Sequence, residues 1–366
     1  MGLKNFNSFL RATCPDVFEE IHISEYCYQR VAIDISLYLN KYKAIAGDAW
    51  LTAFVNLVTC LRRNELHCVF IFDGKSPPEK SDEKAKRRKG RETMEKQLYV
   101  LEEALESYHN TGEIAQCIID LHAKRRSPTR LLKPNSSGID MRWVERKIDQ
   151  RRKQLYQINP EDYEKVKELF RILKVPFYTA PAEAEKFCAK LCLDKKVCAV
   201  LSEDTDVMAY GTPVFLTKID TSRDTCVRIR YDYLLERLGL TPAQFLDFCI
   251  MCGTDYNNNI PKVGSKTAYK RIKLHGSIEG IEKETVFDVS VLNHIRVRQL
   301  FSEFEEYDIS AIPFCATPNF DKLEKFVTEN NIRLRIDRLK EHFAPKIVFI
   351  EDDSDEVEND NTEQKE

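Results

Sequence analysis

No apolar run in this sequence approaches the roughly 20 residues that cross a bilayer. The opening Met-Gly-Leu-Lys-Asn-Phe has no apolar core of the kind a signal peptide needs. Phe6 also stands where N-myristoylation asks for Ser or Thr. No Walker-type glycine loop precedes a Lys-Ser/Thr pair. No Ser-His-Asp or Cys-His arrangement can be traced among the seven histidines, and no fixed-period repeat is present. These absences argue against membrane spans, P-loop nucleotide hydrolysis and triad chemistry. Twelve cysteines without a secretory signal point to a reducing compartment. The tightest pairs, Cys188/Cys192 and Cys249/Cys252, lie in apolar helical stretches without the turn residues of a zinc site. They read as small buried hydrophobes.

Hydrophobic residues make up 43% and charged residues 31% of the 366 positions, enough for a sizeable core in one large domain or about two. The net charge of −3 conceals a split. Residues 351–366 hold nine acids and one lysine, leaving the first 350 residues net positive. This tail reads as disordered. Residues 80–91 hold seven basic residues against two acids, and residues 122–153 hold eleven against three. Between them, 97–121 read as an amphipathic helix carrying Leu98, Leu101, Leu105 and Tyr108. Ser127-Pro128 and residues 133–138 break the region into pieces.

Three short runs, Val31-Ala32-Ile33, residues 68–72 and residues 197–201, read as buried strands. Each runs into acid: Asp34, Asp73 and Glu203-Asp204. Helical patterns at 49–63 and 161–173 separate them, so we expect an α/β fold with a mostly parallel sheet flanked by helices. In such sheets ligands sit beyond the carboxyl ends of the strands, where these acids would converge.

Seven acids stand out: Asp34, Asp73, Glu183, Glu185, Asp204, Asp206 and Asp255. Singly, each reads equally well as a cap, a turn residue or a partner of a helix dipole; Glu183 and Glu185, for example, fit the first turn of a helix opened by Pro181. Together they exceed what capping needs. Crowded like charges repel, and hard cations such as Mg²⁺ or Mn²⁺ remove that repulsion. Two ions about 3.5–4 Å apart suit phosphodiester hydrolysis.

In chain order, Gly2, Val-Ala-Ile-Asp34, Val-Phe-Ile-Phe-Asp73-Gly-Lys, Ala-Pro-Ala-Glu183-Ala-Glu185, Glu-Asp204-Thr-Asp206 and Gly-Thr-Asp255-Tyr resemble the flap endonuclease/XPG family of structure-specific 5′ nucleases. The resemblance covers about residues 1–100 and 160–280 and is nearer to homologues from large DNA viruses than to cellular enzymes. It implies a PIN-like 5′ nuclease fold with a helical arch and a helix-hairpin-helix element. It also implies two Mg²⁺ (Mn²⁺ substituting) held by the seven acids, and cleavage near single-strand/double-strand junctions in replication or repair. Lys80 and Arg87 would contact the scissile phosphate, and Gly2, Lys84, Arg88, Gly264 and Lys266 the DNA. Expected partners are DNA with a 5′ flap, gap, nick or branched junction, bound by a monomer. A nuclease-inactive scaffold and a 5′→3′ exoribonuclease are the alternatives. The basic run 84–89 also passes as a nuclear localisation signal, so a nuclear site, the host nucleus for a viral protein, is expected.

Four features depart from the family. The 110 residues from Asp73 to Glu183 exceed the usual arch. The gap from Asp34 to Asp73 is short. A sliding-clamp peptide is missing. Lys262 stands where the family usually has Gly in the turn before Gly264. The expected segments are a nuclease region at 1–100, an arch insertion at 101–160, a second nuclease region with the helix-hairpin-helix at 161–285, a helical region at 286–350 and the tail at 351–366. Phe6 and Phe9 read as a wedge or as core; Tyr38 and Tyr42 read as core.

Overall fold

A computed structural model describes residues 2–124 and 138–343. The acidic tail, the end of the expected 286–350 region and the breaks at Ser127-Pro128 and 133–137 lie outside the described residues. The strands are β1 (Glu19–His22), β2 (Arg30–Asp34), β3 (His67–Phe72), β4 (Phe177–Thr179), β5 (Ala199–Leu201), β6 (Val214–Asp220) and β7 (Thr225–Arg230). They form one sheet in the order β1-β7-β6-β5-β2-β3-β4. The pairs β2/β3, β2/β5, β3/β4 and β5/β6 are parallel, while β7 runs antiparallel to both β6 and β1. The mostly parallel sheet thus carries an antiparallel margin. The three strands read from β-branched runs are β2, β3 and β5, the last beginning at Ala199.

Alternation along these strands feeds two cores. Val31 and Ile33 face one, and Ala32 faces the other; Phe70 and Ile71 divide likewise. Both faces are covered, as a parallel sheet requires. The helices through the sheet region are α1 (Phe6–Thr13), α2 (Ile35–Ala46), α3 (Trp50–Arg63), α4 (Ser81–Thr111), α5 (Gln116–Ala123), α6 (Met141–Gln154), α7 (Pro160–Leu173), α8 (Ala184–Leu193), α9 (Asp206–Ala209) and α10 (Tyr231–Leu238). They are followed by α11 (Pro242–Cys252), α12 (Ser265–His275), α13 (Ile278–Glu284), α14 (His294–Ser302), α15 (Phe320–Glu329) and α16 (Ile336–Phe343). Ile35–Arg63 is long and apolar enough to cross a membrane, but it bends at Gly47 and spends its apolar sides in the core. Tyr38 is fully buried there beside Tyr42. Phe6 and Phe9 are core residues too, packed on Phe245, Phe248 and Tyr269. Cys188, Cys192, Cys249 and Cys252 are buried free thiols.

The arch differs from the reading of the sequence in two ways. The amphipathic stretch 97–121 is not one helix. Gly112, at φ 76°, takes the left-handed turn that ends α4, and α5 starts at Gln116. The boundary expected at residue 100 falls inside α4, which runs 31 residues without a break. Gly90 does not interrupt it, since a helical Gly costs only about 1 kcal/mol and good helix formers surround it. The distal half of α4 packs with α5 and α6 around a separate core that includes Leu98, Leu101, Ile118, Leu121, Val144 and Ile148.

Candidate active site

β2, β3 and β5 are parallel, so their carboxyl ends open on one side of the sheet. β2 ends at Asp34, which is both a cap and a site residue: its Oδ1 accepts the Ser36 N–H at 2.9 Å and opens α2. Asp73 follows β3 and accepts the Ala184 N–H at 2.9 Å and the Ser36 hydroxyl at 2.5 Å. Ser36 therefore holds Asp34 through its backbone and Asp73 through its side chain. Glu183 is the N-cap of α8, and Glu185 lies in its first turn. Pro181 belongs to the preceding turn and does not open the helix, because the cap position falls two residues later. After β5, Asp204 accepts the Asp206 N–H at 3.0 Å and Asp206 begins α9.

Three acids, Glu183, Glu185 and Asp255, meet one largely covered cation. Lys80 Nζ lies 2.5 Å from Glu183, 3.4 Å from Glu185 and 3.3 Å from Asp255. Arg87, seven residues along on the same side of α4, pairs with Asp255 at 2.5 Å. The Tyr256 hydroxyl donates to the second Glu183 oxygen. Among the described residues no three Asp, Glu, His or Cys side chains close round a point as metal ligands do; the Lys80 ammonium sits among the carboxylates instead. One Asp206 oxygen is buried with no hydrogen-bond partner.

The electrostatics carry the strain of like charges. Burial, then Asp73 and Asp204, push the Asp34 carboxyl up to about 8. Burial raises Asp206 well above the carboxylate range, with Asp204 and Asp255 adding to it. Burial also raises Glu185, against the pull of Lys80. For Lys80 burial alone would lower the pKa, but Glu185, Glu183 and Asp255 outweigh it and raise it.

The folded chain thus holds the Asp34 proton more tightly than the unfolded chain does. That contribution to stability is full below the ordinary value of 3.8 and is lost as pH rises through about 8. In EDTA we expect the melting temperature to fall between pH 5 and pH 8, and a divalent cation to restore it at pH 8. A melting temperature that is level over that range in EDTA, and unmoved by the cation, would contradict the crowding.

The residues expected on DNA lie in three settings. Gly2, at φ 84°, is packed against Asp204, Thr205 and Asp206; a Cβ there would overlap Asp204. The adjoining Leu3 N–H donates to the Thr205 hydroxyl at 2.9 Å. Gly2 therefore forms a wall of the acidic pocket. Lys84 and Arg88 are exposed on α4. Gly264 is the exposed N-cap of α12, and Lys266 stands exposed in its first turn. Lys262 keeps the left-handed conformation at φ 65°, so the turn survives without glycine there. Ser36 and Tyr256 were missed from the sequence. Each is adjacent or nearly adjacent to an acid, but its role depends on a bond to an acid 37 or 73 residues away.

The family model of the XPG N-terminal domain matches residues 1–94, and that of the XPG I-region matches residues 174–255. The chain is 31% identical to the probable RAD2-like endonuclease 369L of Invertebrate iridescent virus 6, over 98% of this chain and 95% of that protein. It belongs to the XPG/flap endonuclease family. Flap endonuclease 1 of Ostreococcus lucimarinus is 30% identical, over 78% of this chain and 68% of that family member. Among solved structures, the catalytic core of Rad2 in complex with DNA substrate shares the fold at TM-score 0.64 and 17% identity, covering 93% of this chain and 98% of that one. Flap endonuclease-1 from Methanococcus jannaschii does so at 0.58 and 19%, covering 90% and 95%. The 5′ nuclease fold of the XPG/flap endonuclease family is therefore present in this member.

Proposed function

We propose that this chain is a metal-dependent structure-specific 5′ nuclease that hydrolyses DNA phosphodiesters near single-strand/double-strand junctions, in replication or repair. The observation that carries the reading is the crowding of Asp34, Asp73, Asp204 and Asp206, which follow β2, β3 and β5, with Glu183, Glu185 and Asp255, which meet Lys80 and Arg87. The donor set fits a hard cation. Every candidate ligand is a carboxylate, one Asp206 oxygen lacks a partner, and protons must otherwise relieve the crowding. Asp34, Asp73, Glu183, Glu185, Asp204, Asp206 and Asp255 would hold two Mg²⁺, with Mn²⁺ able to replace it. When bound, such ions lower the pKa of the attacking water and offset charge on the phosphate.

The rest is done by the chain. Lys80 and Arg87 project from the base of α4 and offer cations to the phosphate, whose charge grows in the transition state. Ser36 and Tyr256 hold the carboxylates in orientation. Gly264 and Lys266 present a helix start and a cation to duplex backbone. Lys84 and Arg88 offer charge to a single strand. Phosphate contacts of this kind read shape and not base sequence.

A panel of 5′-flap, gapped, nicked and four-way-junction DNA, with single-stranded RNA, tests the reading in Mg²⁺. We expect cleavage of at least one branched DNA, EDTA-sensitive and leaving a 5′-phosphate. Tight DNA binding without cleavage would make the chain a scaffold, and cleavage of RNA alone would make it an exoribonuclease.

A further inference from the structure

Glu183 is gripped from two sides. One oxygen faces Lys80 at 2.5 Å, and the other accepts the Tyr256 hydroxyl. The Tyr256 oxygen is in turn 2.9 Å from the Tyr210 hydroxyl. Both tyrosines are buried, as is Glu183. A phenol has one proton to give. Because the Tyr256 proton is committed to Glu183, the Tyr210 proton must point at the Tyr256 oxygen. The order of donors is therefore fixed: Tyr210 to Tyr256 to Glu183. The rings are anchored independently of this chain of bonds. Tyr210 packs on Phe301 and Phe304, and Tyr256 packs on Phe301. The two hydroxyls come from different parts of the chain, one just after α9 and the other in the loop after α11, and they form one line that ends on the Glu183 carboxylate.

We propose that Tyr256, backed by Tyr210, is a positioning residue that sets the orientation of Glu183 as a metal ligand. The inference rests on the proposed metal-dependent reading of the site. The Tyr256 hydroxyl occupies one oxygen, so the rotation of the carboxylate is fixed and the other oxygen is left for a cation. In this structure that oxygen faces Lys80. Bonds of this outer kind alter metal affinity by about 10–100-fold in other sites.

The test uses the full chain and Mn²⁺ as the probe. Mn²⁺ binding is followed without DNA by electron paramagnetic resonance, and cleavage is measured across a Mg²⁺ titration. For Tyr256→Phe we expect Mn²⁺ affinity to fall about tenfold. The cleavage rate at limiting Mg²⁺ should fall in step and recover as Mg²⁺ is raised, with KM for DNA unchanged. A loss that high Mg²⁺ does not rescue would mean a merely structural role and overturn the proposal. So would unchanged Mn²⁺ affinity in a folded Y256F. Should Y256F fail to fold, Tyr210→Phe decides, since it removes only the outer donor: weakened Mn²⁺ binding supports the relay, and unchanged binding overturns it. Failure of the underlying reading looks different, because the wild-type chain itself would then show no Mn²⁺ binding and no metal-dependent cleavage.

Discussion

Asp206→Asn is expected to lower cleavage of the preferred DNA by about 10³-fold, the scale of losing one key electrostatic group in an active site, while making the metal-free protein more stable. The two effects share a cause. Asp206 is buried among Asp204 and Asp255, and one of its oxygens has no partner. A neutral amide of the same size removes one charge from that crowd. Two charges about 5 Å apart repel by roughly 3 kcal/mol at an effective dielectric of 20. Proton uptake already relieves part of this in the wild type, so a net gain of about 1–2 kcal/mol is the reasonable figure. Melting in EDTA measures the gain, and cleavage in Mg²⁺ measures the loss. A D206N variant that cuts as fast as wild type would remove Asp206 from the proposed ligand set.

Lys80→Met should shift stability the other way. The Lys80 side chain is only 12% exposed and places its one positive charge among Glu183, Glu185 and Asp255. Deleting one partner from a buried charged group costs about 3–5 kcal/mol, because the remaining charges stay buried without it. The metal-free K80M protein should therefore melt well below wild type, and Mg²⁺ should recover most of the difference. Its cleavage rate should still be about 10²–10³-fold down, since Lys80 is also the proposed phosphate contact. Full activity in K80M would leave Lys80 as a structural counter-ion alone. The pair of variants makes opposite predictions for stability and the same prediction for catalysis, a combination that a general loss of folding cannot produce.

The central strands were legible because a strand buried on both faces must be apolar throughout, as Val31-Ala32-Ile33 and residues 68–72 are. The outer strands were not. β1 reads Glu-Glu-Ile-His and β7 carries Arg228 and Arg230, whose charges pair with Glu19 across the sheet edge. Such strands are stabilised by neighbours that local composition does not reveal. The seven acids were readable as a set because their order along the chain is distinctive. Their supporting bonds were not. Nothing in the sequence around Ser36 pointed to Asp73, 37 residues away. Tyr256 is one more aromatic until the fold brings it to Glu183. The turn at Lys262 was open from sequence; the backbone keeps the left-handed conformation there, at the modest cost a non-glycine residue bears.

Helix α4 joins two parts of the molecule that the sequence appeared to separate. Lys80 at its N-cap and Arg87 in its second turn reach the carboxylates, and its distal turns supply Leu98, Leu101 and Ala104 to the core of the arch. At about 1.5 Å per residue, 31 residues make a rod of about 46 Å. A rod of that length is a lever. Tilting it by about 5° around its midpoint would carry either end through about 2 Å, more than the tolerance of a hydrogen bond. A rigid tilt of α4 would therefore reach Lys80 and Arg87 as a displacement and not as a change of charge.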